Sequence, residues 1–339
     1  MAWRVLLLPL APLYRGAVSV RSAAYRRGWI ARERLPLPVV SVGNLSFGGT
    51  GKTPTVIALV RDLVRRGRRP AVLTRGYGRS DRDQRVVTGP VPRLRAAEVG
   101  DEPLEMAHRL PGVPIIVDSD RARGGREAGR LGADIVVLDD GFQHLGLERD
   151  LDLVLLDAGD PWGGGRLPPL GRLREPLTAL RRADAVLITK LPRDWRPVAA
   201  RIEAELEDIA PGLPVLAARL LPVRVRTPDD PARDPAVLAG QRVFAFAGLG
   251  RPQGFAETLA EAGAELVGSR WFADHHPYGA RELADVTAAA AAAAAVPVTT
   301  AKDAVKLPAD APVWVVETAV EPVAGGWQAL WELLPEAVR

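Results

Sequence analysis

Residues 38–55 read PVVSVGNLSFGGTGKTPT. The apolar, β-branched start (Val39, Val40, Val42) predicts a buried strand. Gly48, Gly49, Thr50 and Gly51 then form a glycine-rich loop leading into Lys52 and Thr53. Beyond it, Val56, Leu59, Val60, Leu63 and Val64 recur at helical spacing. Pro54 falls in the first turn, where its missing N–H costs nothing. Strand, glycine loop, Lys-Thr and helix, in this order, predict a phosphate-binding loop. Backbone N–H groups and the helix N-terminus would face the phosphates, Lys52 would add a point charge, and the Thr53 hydroxyl would hold Mg²⁺. Ser46 stands where the usual pattern has its first glycine. The chain is expected to bind a nucleoside triphosphate.

From this unit outward the chain alternates. Residues 71–74, 115–117, 135–138, 153–156 and 185–188 are short apolar runs. They lead into Arg75-Gly76-Tyr77-Gly78-Arg79, Asp118, Asp139-Asp140, Asp157 and Thr189-Lys190 respectively. Apolar runs separated by helical stretches predict a parallel sheet covered on both faces, with ligands at the C-terminal strand ends. After Pro211 the texture changes. Residues 215–220 and 223–226 are expected to pair as a ribbon around Pro222, and 228–235 is a polar, proline-rich connector. A second set of strands and helices follows. The expected division is an N-terminal segment 1–30, a P-loop domain 31–220 and a smaller α/β domain 221–339.

Composition bounds the function. A chain of 339 residues can build two cores. The absence of cysteine excludes disulfides and thiolate metal sites. The net charge is +4, with a pI of 9.7, and the arginine content suits phosphate or anionic lipid. A nucleic-acid-binding module would show a continuous basic face with interleaved aromatics. Here the arginines are dispersed or N-terminal, so no nucleic acid is expected. Residues 5–13 are nearly all apolar, with Trp3, Tyr14, Tyr25 and Trp29 around them and Arg4, Arg15, Arg21, Arg26 and Arg27 interspersed. The run is short of the roughly 20 residues a membrane span needs. A signal peptide, a packed amphipathic helix and an interfacial helix on anionic lipid all fit it. A triphosphate site directly afterwards argues against export, and the interfacial helix is the expected form.

Polar groups gather at three further places. Residues 135–140 have the form of a Walker B strand, and Gly141-Phe142-Gln143-His144 follow directly. Val99-Gly100-Asp101-Glu102-Pro103 is a second acidic spot, in which Asp101 could simply cap a helix. Asp274-His275-His276 is the third. Phosphoryl transfer to an alcohol benefits from a positioned carboxylate or imidazole base.

The motifs GNLSFGGTGKTP, TRGYGR, VGDEP, LDDGFQH, LREPL, AGLGRPQGF, FADHH and TTAKDAVKL occur in this order over about residues 1–318. This set resembles the tetraacyldisaccharide 4'-kinase family of lipid A biosynthesis. The resemblance implies a P-loop NTPase-like α/β/α sandwich, with a second, smaller α/β/α domain joined by a two-stranded ribbon. It implies ATP with Mg²⁺ as phosphoryl donor and a lipid A precursor, tetraacyldisaccharide 1-phosphate, as acceptor. It further implies a monomer working peripherally at the cytoplasmic face of the bacterial inner membrane. Carried over by position, the catalytic base matches Asp101, with His275 as its partner and Glu102 beside it. Lys52 and Thr53 match the phosphate and Mg²⁺ residues. Asp139, Asp140, Gln143 and His144 match the acidic group near the metal, and Arg174 and Glu175 match an Arg-Glu pair, with Glu175 a further candidate for the metal. Under the expected boundaries Asp101 and His275 come from different domains, so closure would assemble them. The alternative is a P-loop GTPase or ATPase switch acting on a protein partner, with Thr189-Lys190 helping to read the base.

Overall fold

The computed structural model describes residues 10–80, 82–90, 94–324 and 326–336. The chain divides into two compact units, neither of them contiguous. Unit 1 comprises residues 1–75, 113–219 and 320–339; unit 2 comprises 76–112 and 220–319. This differs from the expected boundaries in three places. The N-terminal segment belongs to unit 1 and does not stand apart, the excursion 76–112 joins the C-terminal unit, and the last twenty residues return to the first. The reason lies in packing, which local pattern does not report: the closing segment is tied to the P-loop helix by the Trp331 indole, which donates to Asp62 at 2.7 Å.

Unit 1 is built on β1 (Val39–Asn44), every residue of which is buried. On one side of it lie β5 (Ile135–Asp139), β2 (Pro70–Thr74) and β4 (Pro114–Val117). On the other lie β6 (Leu151–Asp157), β7 (Ala185–Thr189) and the start of β8 (Val215–Arg226). The pairings are parallel. The chain fills one flank first, then crosses β1 to fill the other, so the C-terminal end of β1 is the topological switch point at which such sheets bind ligands. α2 (Lys52–Arg65) leaves from that end and buries Val56, Ile57, Leu59, Val60 and Leu63. Val64, expected on the same stripe, is exposed. One apolar layer gathers Val39, Leu73, Ile116, Val136 and Leu138; the other gathers Leu45, Phe142, Val154, Val186, Ile188 and Ile202.

Ahead of the sheet, α1 (Leu10–Arg26) rests on unit 1. The Tyr14 hydroxyl donates to the Arg174 carbonyl at 3.0 Å, and Arg21 donates to that of Gln143 at 3.1 Å. Ala24 is buried, while Leu13, Val20, Trp29 and Ile30 are exposed. Trp3 and residues 5–9 of the apolar run lie outside the described residues. Among the described residues no helix is long and apolar enough to cross a membrane.

Unit 2 carries its own parallel sheet, in the order β10 (Glu265–Phe272), β9 (Arg242–Gly248), β11 (Val296–Thr300), β12 (Trp314–Pro322). Phe246, Val286 and Val315 pack on one side, and Val243, Ala245, Leu259 and Val298 on the other. The ribbon expected around Pro222 is not a hairpin. β8 runs unbroken through Pro222, and its neighbour in strand order is β12. Proline removes one backbone donor without ending a strand.

Candidate active site

The phosphate loop follows from its glycines. Gly51 caps α2 with φ +85° and Gly48 has φ +124°, left-handed conformations that side chains disfavour. A glycine cap brings no side chain to satisfy the first N–H groups of the helix, which leaves them for an anion. The Asn44 amide donates to the Thr50 hydroxyl at 2.8 Å, tying the loop to the end of β1. Thr53 is buried in the first turn.

The turn after β5 passes close to the same strand end. A Cβ on Gly43 would lie 2.4 Å from that of Phe142, and one on Gly141 would lie 2.5 Å from the Ser41 hydroxyl. Glycine is thus required in both GN and DDG for the two strand ends to touch. Lys52 Nζ lies 3.6 Å from Asp140, whose two oxygens also accept from Arg174 at 2.8 Å each. Burial works to raise the Asp140 carboxyl, but Lys52 and Arg174 outweigh it and hold it below its ordinary value. Asp139 accepts from the Thr74 hydroxyl at 2.8 Å. Gln143 braces the turn, donating to the Asn44 carbonyl at 2.9 Å and accepting from Arg174 at 3.3 Å. His144 is neutral near pH 7: burial, with Arg121, Arg149 and Arg21 nearby, pushes it down to about 4.

Glu175 lies beside Arg174 in sequence but is held by another partner. Arg182 donates to its two oxygens at 2.6 and 2.9 Å and lies over the Phe142 ring at 3.7 Å. Arg182 was not singled out from the sequence, where nothing marks it among many arginines. Among the described residues no three carboxylate or imidazole groups converge on one point. Hydroxyl and carboxylate oxygens at Thr53, Asp139 and Asp140 nonetheless suit Mg²⁺, which takes few protein ligands and completes its octahedron with phosphate and water.

In unit 2, Asp101 opens α3 (Asp101–Arg109) after Gly100, whose φ is +100°. The cap residue is Gly100, not Asp101, so the capping reading of Asp101 does not apply. Its carboxylate accepts instead from Nδ1 of His275, which lies 2.9 Å from both oxygens, and from the Glu102 N–H at 3.0 Å. His275 has a left-handed backbone, φ +60°, and its ring lies 5.2 Å from that of the exposed Tyr77. The bond to Asp101 raises the His275 pKa above its ordinary value. Burial works to raise Asp101, but His275, Lys302 and Lys306 outweigh it and hold it low. Lys306 Nζ is 3.8 Å from Asp101 and 2.7 Å from the fully buried Asp303, which also accepts from Tyr278 and Gly248. Lys302 bonds Asp274 at 2.8 Å and lies 4.0 Å from Glu102. Both lysines fall in TTAKDAVKL, and their spacing around Asp303 was the available signal. Asp101 and His275 therefore do not await domain closure. Both belong to unit 2 and are already bonded, because the excursion 76–112 carries Asp101 into that unit.

The chain resembles known proteins along nearly its whole length. A family model described as Tetraacyldisaccharide-1-P 4'-kinase matches residues 3–339. The tetraacyldisaccharide 4'-kinase of Anaeromyxobacter sp. (strain Fw109-5) is 48% identical over 311 residues, covering 89% of this chain and 83% of the relative. The protein of the same name from Geobacter sulfurreducens is 43% identical over 308 residues, covering 90% and 84%. A crystal structure of LpxK from Aquifex aeolicus in complex with ATP superposes with a TM-score of 0.75 at 31% identity, covering 98% of each chain.

Proposed function

The chain belongs to the tetraacyldisaccharide-1-P 4'-kinase family, and on that footing we propose how its residues divide the work of transfer from ATP to the 4'-hydroxyl of tetraacyldisaccharide 1-phosphate. The phosphate loop of unit 1 takes the triphosphate through its N–H groups. Lys52 sets an ammonium against the charge that develops on the transferring group. Mg²⁺, when bound, neutralises phosphate oxygens; the Thr53 hydroxyl with Asp139 or Asp140 would hold it. Arg174 keeps Asp140 ionised and in place, and Gln143 fixes the turn that carries it.

The acceptor hydroxyl is a poor nucleophile until its proton has somewhere to go. Asp101 takes that proton and His275 orients the carboxylate and shares the charge. The observation that carries this assignment is the Asp101–His275 bond, which couples a buried carboxylate to an imidazole outside the phosphate loop. A nucleotide switch that only hydrolyses its triphosphate has no use for such a pair. The exposed apolar residues of α1 and the segment after it would rest in the headgroup layer of an anionic membrane, where the substrate's acyl chains are held, at the cytoplasmic face of the inner membrane.

The test is transfer of label from γ-labelled ATP to purified tetraacyldisaccharide 1-phosphate, with GTP and acceptor-free controls. A product labelled at the 4' position is expected. ATP hydrolysis with no labelled lipid would overturn the assignment.

A further inference from the structure

The Thr189-Lys190 pair has no part in the chemistry above. In the structure both residues are bonded to the phosphate loop. The Thr189 hydroxyl, at the buried end of β7, donates to the Thr50 carbonyl at 2.8 Å and lies 3.2 Å from the Leu156 carbonyl. Lys190 Nζ donates to the Gly49 carbonyl and, at 2.8 Å, to Asp157. Lys190 adopts φ +56°, a left-handed conformation uncommon for a side-chain-bearing residue. Asp157 is itself fixed, accepting from the Gly159 N–H at 3.0 Å.

We propose that Thr189 and Lys190 are positioning residues that set the direction of the phosphate loop's N–H groups by pinning the carbonyls of Thr50 and Gly49. The inference rests on the reading of residues 48–53 as the triphosphate site. In a planar trans peptide the C=O and the next N–H point opposite ways. Holding the Thr50 carbonyl toward β7 therefore turns the Gly51 N–H away from β7. Holding the Gly49 carbonyl likewise orients the Thr50 N–H, which donates to the Gly48 carbonyl at 3.1 Å and closes the loop. A glycine-rich loop has many backbone conformations available. Two bonds from a neighbouring strand end select one of them before ligand arrives, so less ordering remains to be done on binding.

The test measures the Kd of ATP, ADP and GTP, the KM for ATP, kcat and the ligand-free melting temperature. The proteins are wild type, Thr189→Val, Lys190→Met, Lys190→Arg and Asp157→Asn. A neutral bond lost at Thr189→Val should weaken ATP and ADP alike by about 3–10-fold, and the charged bond lost at Lys190→Met by about 10–100-fold. The ATP-to-GTP preference should stay as it is, KM should rise more than kcat falls, and Lys190→Arg should recover part of the loss. Asp157→Asn loosens Lys190 without altering β7, and carries the test if Thr189→Val does not fold. Unchanged ATP and ADP affinity in Lys190→Met and Asp157→Asn would overturn the inference and leave the phosphate site standing. A changed ATP-to-GTP preference would overturn it in favour of base reading. A wild-type chain that bound no ATP would remove the phosphate-site reading and the inference together.

Discussion

Nδ1 of His275 sits 2.9 Å from each carboxylate oxygen of Asp101, 174 residues away in sequence. A nitrogen equidistant from both oxygens centres the imidazole on the carboxylate, so removing either group disturbs the other. Their contributions to turnover should not add. Asp101→Asn and His275→Ala are each expected to lower kcat by about 10²–10⁴-fold, the usual range for a general base. The double variant should be little worse than the poorer single one. Steady-state kinetics at saturating ATP decides it, and multiplicative losses would mean that the two act separately.

The same pair makes stability depend on pH. His275 is raised above its ordinary value, so its contribution is present at and below that value and is lost as pH rises through the raised one. Asp101 is lowered, so its contribution is present above the ordinary carboxylate value and is lost as pH falls through the lowered one. The ion pair is therefore complete between roughly pH 4 and 6.5. The melting-temperature difference between wild type and Asp101→Asn should be largest there and shrink by pH 9. A difference that grows toward pH 9 would contradict the charged pair.

Lys52→Ala should lower kcat by about 10²-fold or more, the size seen when a charge-stabilising group is removed from a transition state. Thr53→Ala should instead raise the Mg²⁺ concentration needed for half-maximal rate, with folding unaffected. A Mg²⁺ titration of each variant separates the two roles.

Arg182 holds the buried Glu175 and covers Phe142. Removing one partner of a buried pair leaves the other charge uncompensated, so Arg182→Ala should destabilise the protein by about 3 kcal/mol. Urea unfolding measures it; a loss below 1 kcal/mol would show that Glu175 finds another partner.

For the membrane, Leu13→Glu with Val20→Glu should shift the protein from the membrane fraction toward the soluble one without loss of ATP binding. Charge substitution is a cleaner probe than deletion of the N-terminal segment, since Tyr14 and Arg21 donate to the backbone of Arg174 and Gln143. Unchanged sedimentation with vesicles would rule out the interfacial role of α1.

Much of unit 1 was legible because its signals are local. Val39, Val40 and Val42 declare a strand, Gly48 to Thr53 a loop, and residues 135–140 a strand with an acidic end, each signal contained in a few consecutive residues. What escaped was non-local. Nothing in the 76–112 excursion says which core it joins, because its partners lie over a hundred residues downstream. Pro222 reads as a turn by propensity, whereas β8 continues through it to Arg226. Arg182 carries no local mark, and Lys306 falls within TTAKDAVKL without any sign of its distant partner; Glu175 and Asp101 reach them only in the folded chain.

The interleaving of the two units constrains how the protein is made. A ribosome delivers Asp101 long before the residues that complete its unit, which end at 319. The excursion 76–112 is made about two hundred residues before its unit is complete, and the segment that brings Trp331 to Asp62 follows later still. Neither half can be released by a single cut as an autonomous fragment. A premature stop after residue 319 would leave the P-loop unit without its final segment, and such a chain should be cleared by proteolysis instead of accumulating as a partly active kinase.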